Sequence, residues 1–261
     1  MKMKMTGLLT LCMASVSMLA VSTSTHASQT DDRIEASAAK SYVFKTYLKD
    51  DSIKTESKNG NVTLTGTVSE SSHKTLAQDT VENLPGVKGV DNELRVSGDQ
   101  PPQHSDAWLR AKIKGTLLFH RHVSASGTTV YVKDGIVTLQ GVTGSLAQKE
   151  LTTEYVKDIE NVKGVRNDMT IANTPAVPDA SASEKIDDAS ITAEVKSSLF
   201  AHRSTSALRT KVETTDGVVT VSGIARNVAE KALVSKLIND INGVNSVINN
   251  MTIEVADASF K

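Results

Sequence analysis

The chain has 261 residues, of which 39% are apolar and only 3% aromatic, so a single large aromatic-lined core is excluded and the length suits a few small domains. Lys plus Arg 29 against Asp plus Glu 30 give a net charge of −1, which excludes the overall basic excess of a typical nucleic-acid binder. The lone cysteine, Cys12, excludes an intrachain disulfide framework.

The first 27 residues read as a secretory signal peptide. Lys2 and Lys4 precede an apolar or small stretch over 5–21, and a Ser/Thr-rich segment ends at Ala27, after which cleavage is placed. Leu11 before Cys12, after so short an apolar run, does not fit a lipid-anchored leader. Cleavage leaves 27 basic and 30 acidic groups, a charge of −3, and no cysteine. Export without disulfides points to a bacterial periplasm. Residues 28–37 are expected to be a loose arm.

From there the sequence repeats. GNVTLTG at 60–66 returns as GIVTLQG at 135–141 and GVVTVSG at 217–223, and GVKGVDNELRV at 86–96 returns as NVKGVRNDMTI at 161–171 and GVNSVINNMTI at 243–253. The two blocks are 26 residues apart in every copy, which fixes a gapless register between them. Gly60, Gly135 and Gly217 follow Asn or Asp in tight-turn sequences, and Gly66, Gly141 and Gly223 close the strand that comes next. These six glycines are read as structural.

Each strand leads into an amphipathic helix with its apolar stripe at Leu76, Val81 and Leu84, at Leu151, Val156 and Ile159, and at Leu233, Ile238 and Ile241. A second alternating strand ends the copy and carries the recurring Asn92, Asn167 and Asn249, expected to bond to the neighbouring turn. Ahead of the turn, copies two and three share an Asp-capped helix with Leu109, Ile113, Leu117 and Ile191, Val195, Leu199. Copy one reads only as Phe44 and Leu48, lacks the Asp and is shorter by about six residues there. Each module is thus helix, strand, strand, helix, strand. The fold class is α+β, an α/β sandwich of three small modules, each a short sheet with two helices on one face. Modules are placed at 37–97, 104–172 and 186–254, with linkers at 97–105 and 172–185.

On these motifs the sequence resembles the BON domain family, named for bacterial OsmY and nodulation proteins. Within it, the likeness is to the hyperosmotically inducible periplasmic group. Asn161 and Ser246 stand where the pattern has small turn residues. The resemblance implies a role in envelope and osmotic stress, attachment to phospholipid surfaces or to envelope proteins, and periplasmic location.

The chemistry of an enzyme is missing from the sequence. No nucleophile elbow, phosphate loop or metal-spaced Cys/His cluster occurs. No cofactor, small-molecule substrate or nucleic-acid partner is expected. His120 aligns with His202 only, and both read as solvated or helix-end residues; His120 with His122 as a metal pair or enzyme centre is kept as the alternative class.

The middle module alone is net positive, with 9 basic against 7 acidic residues over 104–172. Its first helix carries Arg110, Lys112, Lys114 and Arg121. At about 100° per residue, Trp108 and Phe119 share a face away from the Leu109, Ile113, Leu117 stripe. Three readings of that face stand: packing between modules, an interfacial anchor for anionic phospholipid headgroups, or helix fraying and local core. A modular adaptor or chaperone-like protein without lipid binding is a further alternative.

Overall fold

The computed structural model describes residues 23–123, 125, 127–172 and 185–254, with side chains from residue 29 onward. Module 1 contains α1 (Thr23–Lys40), α2 (Tyr42–Thr46), β1 (Ser52–Lys58), β2 (Asn61–Val68), α3 (Ser71–Glu82), β3 (Gly89–Asn92) and β4 (Arg95–Val96). Module 2 contains α4 (Asp106–Phe119), β5 (Thr128–Lys133), β6 (Ile136–Thr143), α5 (Leu146–Asp158), β7 (Gly164–Asn167) and β8 (Thr170–Ile171). Module 3 contains α6 (Asp188–Ala201), β9 (Thr210–Thr215), β10 (Val218–Ala225), α7 (Val228–Asn239), β11 (Ser246–Asn249) and β12 (Thr252–Ile253). The α+β reading holds in all three.

In each sheet the long second strand is central. It pairs antiparallel with the hairpin strand before it and parallel with the two short strands after it. Burial alternates along β6, with Val137 and Leu139 inward and Ile136 and Val142 exposed. The inward set meets Leu109, Ile113 and Leu117 of α4 and Val156 and Ile159 around α5. At about 1.5–3 kcal/mol per fully buried aliphatic side chain, this cluster is the main force holding the module.

The hairpin turns need two residues at positive φ in succession, Asn59–Gly60, Asp134–Gly135 and Asp216–Gly217, as type I′ geometry requires. Gly141, at φ 129°, has a different role: a Cβ there would lie 1.9 Å from the Gly127 carbonyl oxygen, so the hairpin closes only without a side chain.

Three expectations are corrected. Residues 28–37 form no loose arm, because they lie inside α1. Copy one also has its aspartate: Asp31 accepts from Asn59 N and Gly60 N at 2.8 Å each, as Asp106 does from Asp134 N and Gly135 N and Asp188 from Asp216 N and Gly217 N. The Asp-to-Gly spacing is 29 in each copy, so module 1 is not shorter there. Nor do these aspartates cap their helices. Ser105 and Asp187 do that, accepting from Trp108 N and Ser190 N, while Asp106 and Asp188 clamp the hairpin turn.

The asparagines act between layers rather than on the turn. Asn92, Asn167 and Asn249 each donate to a carbonyl of the helix after the central strand (Lys74, Lys149, Lys231) at 2.9 Å. Each also accepts from the amide two residues on, which breaks the last strand into two short pieces. Residues 1–22 of the expected leader, and 173–184 of the second linker, lie outside the described residues.

Candidate functional site on the helix Asp106–Phe119

The predicted site residues all belong to α4 or to the turn after it, but the fold does not bring them together. Eleven residues along a helix separate Trp108 from Phe119 by about 16 Å, so a shared angular face does not make a shared patch. Trp108 is half-buried at the N-terminal end, edge-on to His104 at 5.3 Å and with Lys112 Nζ 5.0 Å from its ring centroid. Lys112 also pairs with Glu160 at 3.2 Å and lies 6.0 Å from the Phe200 ring, which is 64% exposed. Arg110 and Lys114 are exposed.

Phe119 is corrected from a candidate surface residue to a buried one. Only 8% exposed, it meets Tyr47 of module 1 edge-on at 5.3 Å. Arg121 is likewise committed, its guanidinium donating to the carbonyls of Ile241 and Val244 in module 3 at 2.6 Å each. Phe200, which the sequence reading passed over, aligns with Leu118, and both are exposed. An apolar residue just outside the core stripe in two copies was the signal available.

The end of α4 builds a seam with module 3 that repeats under an 82-residue shift. Arg121 N donates to Asp240 O at 2.9 Å, and Arg203 N donates to Asp158 O at 2.9 Å; Asn242 N donates to Phe119 O, and Glu160 N to Ala201 O. His120 bridges to Ile241 and His202 to Ile159. His120 Nδ1 lies 3.2 Å from Asp240 Oδ2, and His202 Nδ1 lies 3.2 Å from Asp158 Oδ2. Module 2 and module 3 therefore face each other about a local two-fold axis. His120 and His202 do stand at helix ends, as C-caps, but they are buried rather than solvated.

The side chains break the symmetry: His122 meets Asp240 where Ser204 meets Asp158. Tyr155 stacks on His120 at 4.2 Å and donates its hydroxyl to Asp240 at 2.6 Å, whereas the equivalent in module 3 is Leu237. Burial, then Asp240, raise the Tyr155 pKa and keep it a donor. Burial alone would raise Asp240, but the surrounding His120, Tyr155 and His122 outweigh it and hold the carboxyl below its usual range. Burial lowers His120 by more than Asp240 raises it. Ser198 Oγ, 3.2 Å from His120 Nε2, completes a hydroxyl, imidazole, carboxylate order. All three groups are buried, so no space is left for a substrate between them.

The metal alternative meets a different arrangement. His122 and His120 converge on the two oxygens of Asp240, and among the described residues no group of three or more His, Cys, Asp or Glu is placed to hold an ion.

A family model for the BON domain matches residues 30–98, 105–173 and 187–255. The chain belongs to the BON domain family. These BON modules begin at the turn-clamping aspartates and end after the split last strand, as the structure divides them. The chain is 30% identical over 146 residues to osmotically-inducible protein Y of Escherichia coli (strain K12), covering 56% of this chain and 71% of that one. Two solved structures of CdsD, a structural protein of the type III secretion system of Chlamydia trachomatis, align at 16% identity over 82% of this chain and 96% or 91% of theirs. Their TM-scores are 0.23 and 0.24, too low to carry any argument. No described helix of these BON modules is long and apolar enough to cross a membrane.

Proposed function

We propose that the protein is a non-catalytic factor of the bacterial periplasm that supports the cell envelope under osmotic stress. Its second BON module makes weak contact with anionic phospholipid. The observation that carries the reading is the likeness to osmotically-inducible protein Y across 71% of that protein, joined to three BON modules in one chain. The leader pattern of residues 1–27 supports export.

The lipid contact uses Trp108 and the exposed Phe200 ring, which flank Lys112, with Arg110 and Lys114 exposed on another face of the same helix. At roughly 1 kcal/mol per cation near an anionic surface, two free cations and two aromatic rings give reversible binding. The test is co-sedimentation of the full chain with phosphatidylglycerol vesicles at low and high salt. Binding lost at high salt and in Arg110→Glu/Lys114→Glu is expected, because screening weakens exposed charge contacts more than apolar packing. Sedimentation that neither salt nor the double variant changes would remove the lipid assignment.

A second reading, an adaptor for another envelope protein, is favoured by a separate feature. Val142, Leu146 and Ile171 in module 2 and their equivalents Ile224, Val228 and Ile253 in module 3 are all exposed. Module 1 has Thr67, Ser71 and Val96 at these positions. Repeated exposed apolar sites of this kind mark interaction surfaces more often than scattered ones.

A further inference from the structure

Helix α6 is covered on two sides. Its own sheet takes Ile191, Val195 and Leu199, and module 1 takes much of the rest. Tyr42 N donates to Asp187 at 2.8 Å, Val43 N donates to Ser190 Oγ at 3.1 Å, and Lys196 Nζ meets Asp79 of α3 at 3.3 Å. Amid this lies Glu194, with 0% exposure and no hydrogen-bond partner on either carboxylate oxygen.

The local two-fold shows how unusual that is. Glu194 corresponds to Lys112 of module 2, whose ammonium pairs with Glu160; the counterpart of Glu160 is Asn242. That side-chain amide is given to the Leu118 carbonyl instead, at 3.3 Å. Glu194 thus sits where module 2 keeps an ion pair, and it lies out of water on a helix packed by α3 of module 1 and α4 of module 2.

We propose that module 1 is a detachable cover on α6, latched by the proton on Glu194: the carboxyl is neutral while covered and ionised once module 1 swings away on the 97–105 linker. An isolated carboxylate cannot stay charged in such a site without a cation or several donors. The ionisable groups on the packed elements provide neither. Asp187 caps the same helix, Tyr42 comes from α2 and Tyr47 from its C-terminal cap, Asp79 from α3 already holds Lys196, and His120 at the end of α4 meets Ser198. Burial and the negative charge of Asp187 push the Glu194 pKa well above its ordinary 4.5.

The sign follows. The covered state binds the proton more tightly, so covering is strongest below the ordinary carboxyl value and weakens as pH rises toward the raised one, by about tenfold in the open fraction per pH unit. Hydrogen–deuterium exchange on the full chain, corrected for the intrinsic rate, reads this through the α6 amides.

Native protein should lose α6 and α3 protection between about pH 5 and about pH 8, whereas Glu194→Gln should stay protected at both. Small-angle scattering should show the native chain alone expanding over the same range. Flat protection in the native chain, or the same pH dependence in Glu194→Gln, would overturn the latch. Should Glu194→Gln fail to fold, Glu194→Leu supplies an uncharged variant of similar size, and the native measurement still decides.

Discussion

The seam between modules 2 and 3 and the docking of module 1 on α6 join the same kind of module by different means. The first is symmetric and runs through the backbone at helix ends, with His120–Arg121 and His202–Arg203 set against Asp240–Ile241 and Asp158–Ile159. Module 1 has Lys45–Thr46 and Asn83–Leu84 at those positions, so it cannot supply the histidine or the carboxylate. It uses helix flanks and a chain of aromatic edges, Tyr42 to Tyr47 to Phe119. The two dipeptides differ where the docking mode differs.

The comparison breaks most sharply at Asp240. Asp240→Ala strips the acceptor from Tyr155 and leaves the buried His120 and the exposed His122 without their carboxylate. A loss of about 3 kcal/mol is expected on urea unfolding, in keeping with removal of one member of a buried polar network. The symmetric Asp158→Ala should cost about 1 kcal/mol, since Asp158 is more exposed and has no tyrosine. Equal losses at the two sites would mean that Tyr155 adds nothing and that the seam is symmetric in energy as well as in geometry.

Acid should open this seam. Both Asp240 and Asp158 are held below 3.8 in the folded chain, despite burial, by their hydrogen-bonding and charged neighbours. Their contribution is present above that value and is lost as pH falls through the lowered one. His120 is held below 6.5 by burial; as a base that prefers to be neutral in the folded state, it contributes above 6.5 and loses that contribution as pH falls. All three push the same way. Corrected for the intrinsic rate, protection of the backbone amides of Arg121 and Arg203 should therefore fall as pH drops below about 6, the reverse of the trend expected for α6. A seam that tightened in acid would show that His120 takes up no proton when it opens.

Much of the fold was legible because it rests on local chemistry repeated three times. The turn pairs, the strand-closing Gly141 and its equivalents, and the helix stripes each follow from one module's own core. What was missed depends on contacts between modules. Phe119 lies off its module's core stripe, so periodicity assigns it to the surface, and it is buried in the core cluster of the other modules, edge-on to Tyr47. Asp31 was hidden for a different reason: its helix begins well before it, at Thr23, so no cap sequence marks the spot. The histidines aligned correctly, but nothing in a linear pattern says that two helix ends will face each other.

The smallest expected effect lies on the module 1 side, at the Asp79–Lys196 pair. Lys196 is within 3.3 Å of Asp79, yet the Asp79 pKa is raised, because burial outweighs the pull of the ammonium. The pair does not recover the cost of desolvating the carboxylate. Asp79→Asn should consequently change stability by less than about 1 kcal/mol, toward greater stability at neutral pH. Below 3.8, where the native carboxyl is protonated in folded and unfolded chains alike, the pH-linked difference should vanish. Urea midpoints of the native and Asn variants at acid and neutral pH measure both arms. A variant clearly weaker at neutral pH would make Lys196 a true anchor, and the contrast between a seam built on charge and a cover that charge weakens would fail at that point.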